Sequence, residues 1–102
     1  MILYNVTLHV EEEIKNDWLE WMEKVHLPEV MATGKFVSFA LYKIQNHEPE
    51  DRTNNYTVQY HANSIEDYED YVKNYGPGLK KKTMERYGSK VIAFRTILDK
   101  LL

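Results

Sequence analysis

The stretch WLEWMEKVHLPEVMATGKF, residues 18–36, decides how the rest of the chain is read. It holds both tryptophans, a histidine set two residues before a proline, and a glycine ahead of the next apolar run. Ile14, Trp18, Trp21, Met22 and Val25 fall at helical spacing on one side, and Lys15, Asp17, Glu20, Glu23 and Lys24 lie mostly elsewhere. Three acids, Glu11, Glu12 and Glu13, stand just ahead. They suit a first helical turn, where negative charge meets the positive end of the helix dipole. Pro28 has no amide hydrogen and disfavours helix at Leu27, so a break is predicted there. A short second piece over residues 28–32 then starts on the proline and ends at Gly34.

Strands flank this helix. Over residues 2–10, Ile2, Tyr4, Val6, Leu8 and Val10 alternate with Leu3, Asn5, Thr7 and His9, which is the period of a strand. Residues 35–45 carry Phe36, Val37, Phe39, Leu41 and Ile44 and read as a second strand. The polar run NHEPEDRTNN, residues 46–55, reads as a hairpin loop. In the third strand, residues 56–62, Tyr56, Val58, Tyr60 and Ala62 alternate with Thr57, Gln59 and His61. Ser64 to Asp67 matches a capping box and opens a helix whose buried stripe is Ile65, Tyr68, Tyr71, Val72 and Tyr75. Gly76-Pro77-Gly78 interrupts it, and helix resumes over residues 79–87 until Gly88. The last strand, residues 90–98, is apolar on both faces: Ile92, Phe94, Thr96 and Leu98 on one, Val91, Ala93, Arg95 and Ile97 on the other.

The order is βαββαβ. Right-handed crossovers then favour an α+β ferredoxin-like fold, with a four-stranded antiparallel sheet in the order 4-1-3-2 and both helices on one face. Residues 1–102 are expected to form one such domain. The even residues of the two central strands should meet the helices. The other face, assigned Leu3, Val91, Ala93 and Ile97 with apolar residues of the second strand, has a footprint of roughly 500 Å² from strand spacings of about 4.8 and 3.3 Å. It is too apolar to be left in water. A homodimer stacking open face on open face would cover it and close a dimeric α/β barrel.

Composition narrows the function classes. The chain has 102 residues, 43% hydrophobic and 28% charged, as expected of a soluble globular protein rather than a disordered one. Its formal charge of −3 argues against a nucleic-acid partner, which needs a basic stripe. The single basic run, Lys80-Lys81-Lys82, reads as a solvated helix face. There is no cysteine, hence no disulfide, thiolate metal site or cysteine nucleophile. The N-terminal run alternates in polarity and has no basic region, unlike a signal peptide or a spanning segment; a cytoplasmic protein without membrane contact is expected. Glu23 and His26 are three apart, but no second such pair accompanies them, so no metal and no cofactor is expected.

YNVT at residues 4–7, WLEWM at 18–22, HLPEVMATGKF at 26–36, VQY at 58–60 and VIAFRT at 91–96 together resemble a family of short bacterial domains of unknown function. That family is similar, at fold level, to the dimeric α/β-barrel superfamily. The superfamily includes cofactor-free monooxygenases acting on aromatic polyketides, haem-degrading monooxygenases, small isomerases and members with no known activity. The resemblance implies the fold and the dimer; it implies no activity, because fold does not fix function. Some haem-degrading members have an asparagine on the first strand, as Asn5 is here, and pair it with a tryptophan and a histidine farther along. No tryptophan follows Trp21, so that pattern is incomplete.

The candidate ligand-binding residues are the polar side chains assigned to the open face: Asn5, Thr7 and His9 from the first strand, Thr57, Gln59 and His61 from the third, and Arg95 from the last. An enclosed polar group without a partner costs about 1–3 kcal/mol, which a ligand, water or mutual hydrogen bonds must offset. Arg95 suits a carboxylate and His61 suits proton transfer. His26 is placed near a helix C-terminus, where an imidazolium is favoured, and at the mouth of a cavity. Trp18 and Trp21 read as core, as do the helix tyrosines. Three functions follow: a dimeric protein that binds a small organic molecule or serves as an interaction module without catalysis; a cofactor-independent monooxygenase or isomerase acting on a small aromatic or polyketide-like substrate in the barrel cavity; and a regulatory partner using its acidic helix faces.

Overall fold

The computed structural model describes residues 1–45 and 53–102. Strand β1 (Ile2–Glu11) leads through a 3₁₀ turn (Glu12–Ile14) into helix α1 (Lys15–Trp21), a π-helical turn (Met22–His26) and α2 (Leu27–Ala32). Then come β2 (Ser38–Lys43), β3 (Thr53–Ala62), α3 (Ile65–Asn74), α4 (Gly76–Tyr87), a second 3₁₀ turn (Gly88–Lys90) and β4 (Val91–Asp99). The strands form one sheet in the order β2-β3-β1-β4, and every neighbouring pair is antiparallel. This is the expected ferredoxin-like arrangement. The expected hairpin loop lies outside the described residues for positions 46–52, and its last three residues belong to β3.

The helices cover the face that the alternation assigned to them. Ile2, Tyr4, Val6, Leu8 and Val10 of β1 are buried, as are Tyr56, Val58, Tyr60 and Ala62 of β3. Trp18, Met22, Leu27 and Val30 pack down on them from the first helical layer, with Tyr71, Leu79 and Tyr87 from the second. The tyrosines form a cluster: Tyr4 sits 5.9 Å from Phe36, 5.8 Å from Tyr60 and 5.2 Å from Tyr68, ring centre to ring centre. The stripe expected on α3 is only partly realised. Tyr71 is buried and Tyr68 half-buried, but Ile65, Val72 and Tyr75 are exposed. The Ser64 cap is formed, its hydroxyl accepting from the Asp67 amide at 3.2 Å.

Pro28 does not break the helix. The turn before it widens instead: the Leu27 amide bonds the Met22 carbonyl, five residues back. In an α-helix the proline ring would collide with the carbonyl of Lys24. Opening that turn relieves the collision and keeps the chain helical from residue 15 to residue 32. His26 therefore sits in mid-helix, and its expected position near a C-terminus is corrected.

The face of β4 is also corrected. Val10 pairs with Val91, Leu8 with Ala93, Val6 with Arg95 and Tyr4 with Ile97. Directly paired residues share a face, so Val91, Ala93, Arg95 and Ile97 lie on the helix side. Ile92, Phe94, Thr96 and Leu98 lie on the open side. Because β4 is apolar on both faces, alternation alone could not orient it. At Gly88, a backbone with φ +58° and ψ −134° makes the turn that sets its parity, a conformation close to glycine-only.

Candidate functional site

The open face gathers six of the residues expected there. Asn5, Thr7 and His9 of β1 lie directly opposite Gln59, Thr57 and Asn55 of β3, and His61 lies opposite Leu3. These polar groups largely satisfy one another. Thr57 donates its hydroxyl hydrogen to Asn5 Oδ1 at 2.8 Å, and Asn5 Nδ2 donates to Thr7 at 3.3 Å. His9 Nδ1 bonds Asn55 Oδ1 at 2.7 Å, and His61 Nδ1 bonds the Ser38 hydroxyl at 3.3 Å. Beside this polar row stands an apolar column on β4, where Phe94 is 67% exposed, Ile92 48% and Leu98 45%. Tyr42 extends the apolar surface on β2.

Arg95 and His26, the other two candidates, are not on that face. Both line a cavity of about 460 Å³ between the sheet and the helices. The cavity exists because β4 is an edge strand. Its helix side carries the small Ala93, and no helix packs fully over it. The floor is Tyr4, Val6 and Leu8 of β1 with Tyr60 of β3. One wall is Trp18, Met22 and His26; the other is the side of α4 that carries Leu79, Lys80, Thr83 and Met84, at helical spacing. Arg95 and Lys80 are solvent-exposed as residues and so stand at the mouth.

Electrostatics distinguish the groups inside. Burial pulls the His26 imidazole down to about 4; the Glu29 carboxylate opposes that shift, while Arg95 and Lys82 add to it. His26 is therefore neutral at physiological pH. Glu29 is itself engaged by Lys82, at 3.0 Å. Trp21 stacks on His26, ring centre to ring centre at 5.0 Å. Burial raises the Tyr4, Tyr60 and Tyr71 hydroxyls above the ordinary phenol range, Tyr60 and Tyr71 well above it, and the nearby Arg95 charge pulls each part of the way back. They remain neutral phenols, able to donate a hydrogen bond. Lys80 is shifted down by burial and by Arg95. The buried Trp18 Nε1 has no hydrogen-bond partner among the described residues.

Reading the sequence missed this cavity as a whole. The tyrosines and Trp18 read as core, which they also are, and Lys80 read as part of a solvated run. Its two neighbours do behave that way, Lys81 facing Glu85 and Lys82 pairing with Glu29. One signal was available: Lys80, Thr83 and Met84 share a helix side with the buried Leu79 and Tyr87. No group of three histidine, cysteine or acidic side chains is close enough to hold a metal among the described residues. Among them, no helix is long and apolar enough to cross a membrane.

Several solved structures share this architecture. An ethyl tert-butyl ether d (EthD) family protein from Bacillus halodurans C-125 superposes with a TM-score of 0.69 at 16% identity, over 99% of this chain and 100% of the other. HapK from Hahella chejuensis gives 0.71 at 8% identity, over 99% and 93%. A dimeric ferredoxin-like protein from an uncultured marine organism gives 0.63 at 14% identity, over 100% and 94%. At these identities the likeness establishes the fold alone. No curated protein matches the sequence. The sequence does match, over residues 1–101, the model of a family described as a domain of unknown function (DUF4286), and the chain belongs to that family.

Proposed function

We propose that the protein binds a small organic molecule in the cavity between its sheet and helices, and that it does so as a homodimer without catalysing a reaction. The cavity carries this reading. Its volume falls in the range of small-molecule sites, about 300–1,000 Å³, and a mostly apolar lining with a few convergent polar groups is what such sites have in common. A thermal-shift screen with aromatic acids, phenols and polyketide-like compounds tests it. A ligand at a hundredfold excess over its Kd should add about 2.7 kcal/mol of stability. Ala93→Trp, which places an indole in the cavity, should abolish the response while leaving the fold intact by circular dichroism. A library that shifts nothing, or a response that survives the filled cavity, defeats the proposal.

The homodimer rests on the open sheet face. There Phe94, Ile92 and Leu98 stand exposed as one apolar column. The dimeric ferredoxin-like protein of similar fold lends support by its description. Sedimentation velocity should find a dimer at micromolar concentration, and Phe94→Glu should convert it to a folded monomer by burying a charge in the interface. A wild-type monomer at all accessible concentrations would rule the dimer out.

A second reading, a cofactor-independent monooxygenase or isomerase acting on a small aromatic or polyketide-like substrate, is favoured by one observation. A neutral imidazole in the cavity wall can accept a proton, and neutral tyrosine hydroxyls line the same space. It would be preferred if the best ligand in the screen were consumed, and if His26→Gln stopped its consumption without stopping its binding.

A further inference from the structure

We infer that the ligand of this cavity is an organic anion, a carboxylate on a flat apolar body, with its charged end held by Arg95 and Lys80 at the mouth. This rests on the cavity's being a binding site and names the class of molecule that it takes.

The charge distribution carries the inference. The chain is acidic overall, yet no aspartate or glutamate is among the described residues that line the cavity. Two cations line it instead. Among the described residues, seven ion pairs engage Lys15, Lys24, Lys35, Lys81, Lys82, Lys90 and Arg86, and none includes Arg95 or Lys80. So the basic side chains on the outer helix faces are mostly matched with acids, and the two at the cavity are not. Placing like charges near one another beside a low-dielectric space is unfavourable. The mutual effect is visible in Lys80, whose charged form is disfavoured by burial and by Arg95. An anion seated between them reverses that cost.

The remaining walls fit the rest of such a molecule. Arginine presents a planar fork that matches the two oxygens of a carboxylate. The Tyr4 hydroxyl lies beside Arg95 and remains a neutral donor, which suits an acceptor oxygen. His26 adds no third charge. Deeper in, the Tyr60 ring with Val6, Leu8, Met22 and Leu79 offers flat and deformable apolar surface, and the exposed Met84 adds to it at the mouth. A free inorganic anion would leave that surface unused, so the apolar body is part of the inference.

The test compares matched probes by calorimetry: 1-naphthoate, 1-naphthamide and inorganic phosphate, each against the wild-type protein, Arg95→Gln, Lys80→Gln and Ala93→Trp. Naphthoate should bind and the other two should bind much more weakly or not at all. Arg95→Gln should weaken naphthoate roughly 10- to 100-fold, the usual worth of a charge-assisted hydrogen bond. Lys80→Gln should weaken it less, and added salt should weaken it in the wild type but little in Arg95→Gln. Naphthamide binding as tightly as naphthoate, with Ala93→Trp abolishing both, would overturn the anion and keep the cavity as a site. Phosphate binding as tightly as naphthoate would overturn the apolar body. Naphthoate binding that Ala93→Trp leaves unchanged would show that it sits elsewhere and overturn the inference. If no naphthyl probe bound while a neutral compound from the thermal-shift screen did, the anion would again fail and the cavity would stand.

Discussion

Trp18→Ala is expected to destabilise the protein by about 3–5 kcal/mol, the usual cost of truncating a fully buried large aromatic. Trp18 has no exposed surface, and its ring lies 4.9 Å from that of Tyr56 on β3. It is the main peg between the first helical layer and the sheet. Its loss does not leave a small void that neighbours can close, because the residue already borders the 460 Å³ cavity and the two spaces would merge. Against a total stability of roughly 5–15 kcal/mol for a protein of this size, such a loss removes about a fifth or more. Urea unfolding followed by far-ultraviolet circular dichroism measures it, at one fixed protein concentration because a dimer's stability depends on concentration. Trp18→Phe is the informative companion. It keeps most of the ring contact and removes the indole Nε1–H, which has no partner among the described residues. A buried donor left unpaired costs about 1–3 kcal/mol, which offsets part of the lost volume. The phenylalanine variant should therefore lie much closer to wild type than to the alanine variant. An alanine variant within about 1 kcal/mol of wild type would mean that Trp18 is not the peg that its burial indicates.

How much of this was legible in the sequence differs from element to element, for physical reasons. Strands β1 and β3 alternate strictly, so one face is committed to the core and the period alone orients them. The Ser64 cap was readable because a hydroxyl three residues before an amide has one favourable arrangement. Strand β4 was not readable in the same way. Its sequence offers apolar residues to both faces, and its parity is fixed by the Gly88 turn and by the pairing of Val10 with Val91. That one-residue ambiguity placed Arg95 with Asn5 and His61, whereas it belongs with Val6 and the cavity. The faces of Asn5, Thr7, His9, Thr57, Gln59 and His61 were legible because the period orients β1 and β3, whereas Asn55, read as part of a loop, and Ser38 were not. The cavity could not be read, since a space between layers depends on how far apart they sit and no local pattern encodes that distance. At Pro28 the sequence indicated trouble for an α-helix, but the two remedies, ending the helix or widening it, look alike until the Leu27 amide is seen to reach Met22.

Stability should fall by about 3 kcal/mol as pH is lowered from above 6.5 to about 4, and His26 should account for the fall. The unfolded chain takes up a proton on this imidazole near the ordinary value of 6.5, while the folded protein resists until about 4. Between those limits the unfolded state binds more protons, so acid favours unfolding, and the contribution is fully present only above the unfolded value. The groups around the ring set the shift. Burial is the largest cause, Arg95 and Lys82 act in the same direction, and the Glu29 carboxylate opposes them. The depressed carboxylates Glu12, Glu13, Asp17 and Asp70 also lose stabilisation in acid, over a window that opens at their unfolded values, 4.5 for the glutamates and 3.8 for the aspartates, and runs down to their lowered ones. Most of the histidine's window lies above that, so the fall between pH 6.5 and about 5 belongs to the histidine. Urea midpoints measured from pH 7.5 to pH 4 on wild type and His26→Gln isolate the effect, because glutamine does not titrate. The wild-type curve should drop across this range while the variant stays nearly flat. A His26 imidazole titrating near 6.5 in the folded protein, assigned by its loss in His26→Gln, would show instead by nuclear magnetic resonance that water reaches the ring. Arg95→Gln supplies the last discrimination: removing that cation should raise the His26 value and shallow the slope, and a bound carboxylate, by neutralising the same charge, should do likewise. The pH dependence of folding thus reports from inside the cavity, and a ligand that flattens it has entered beside Arg95.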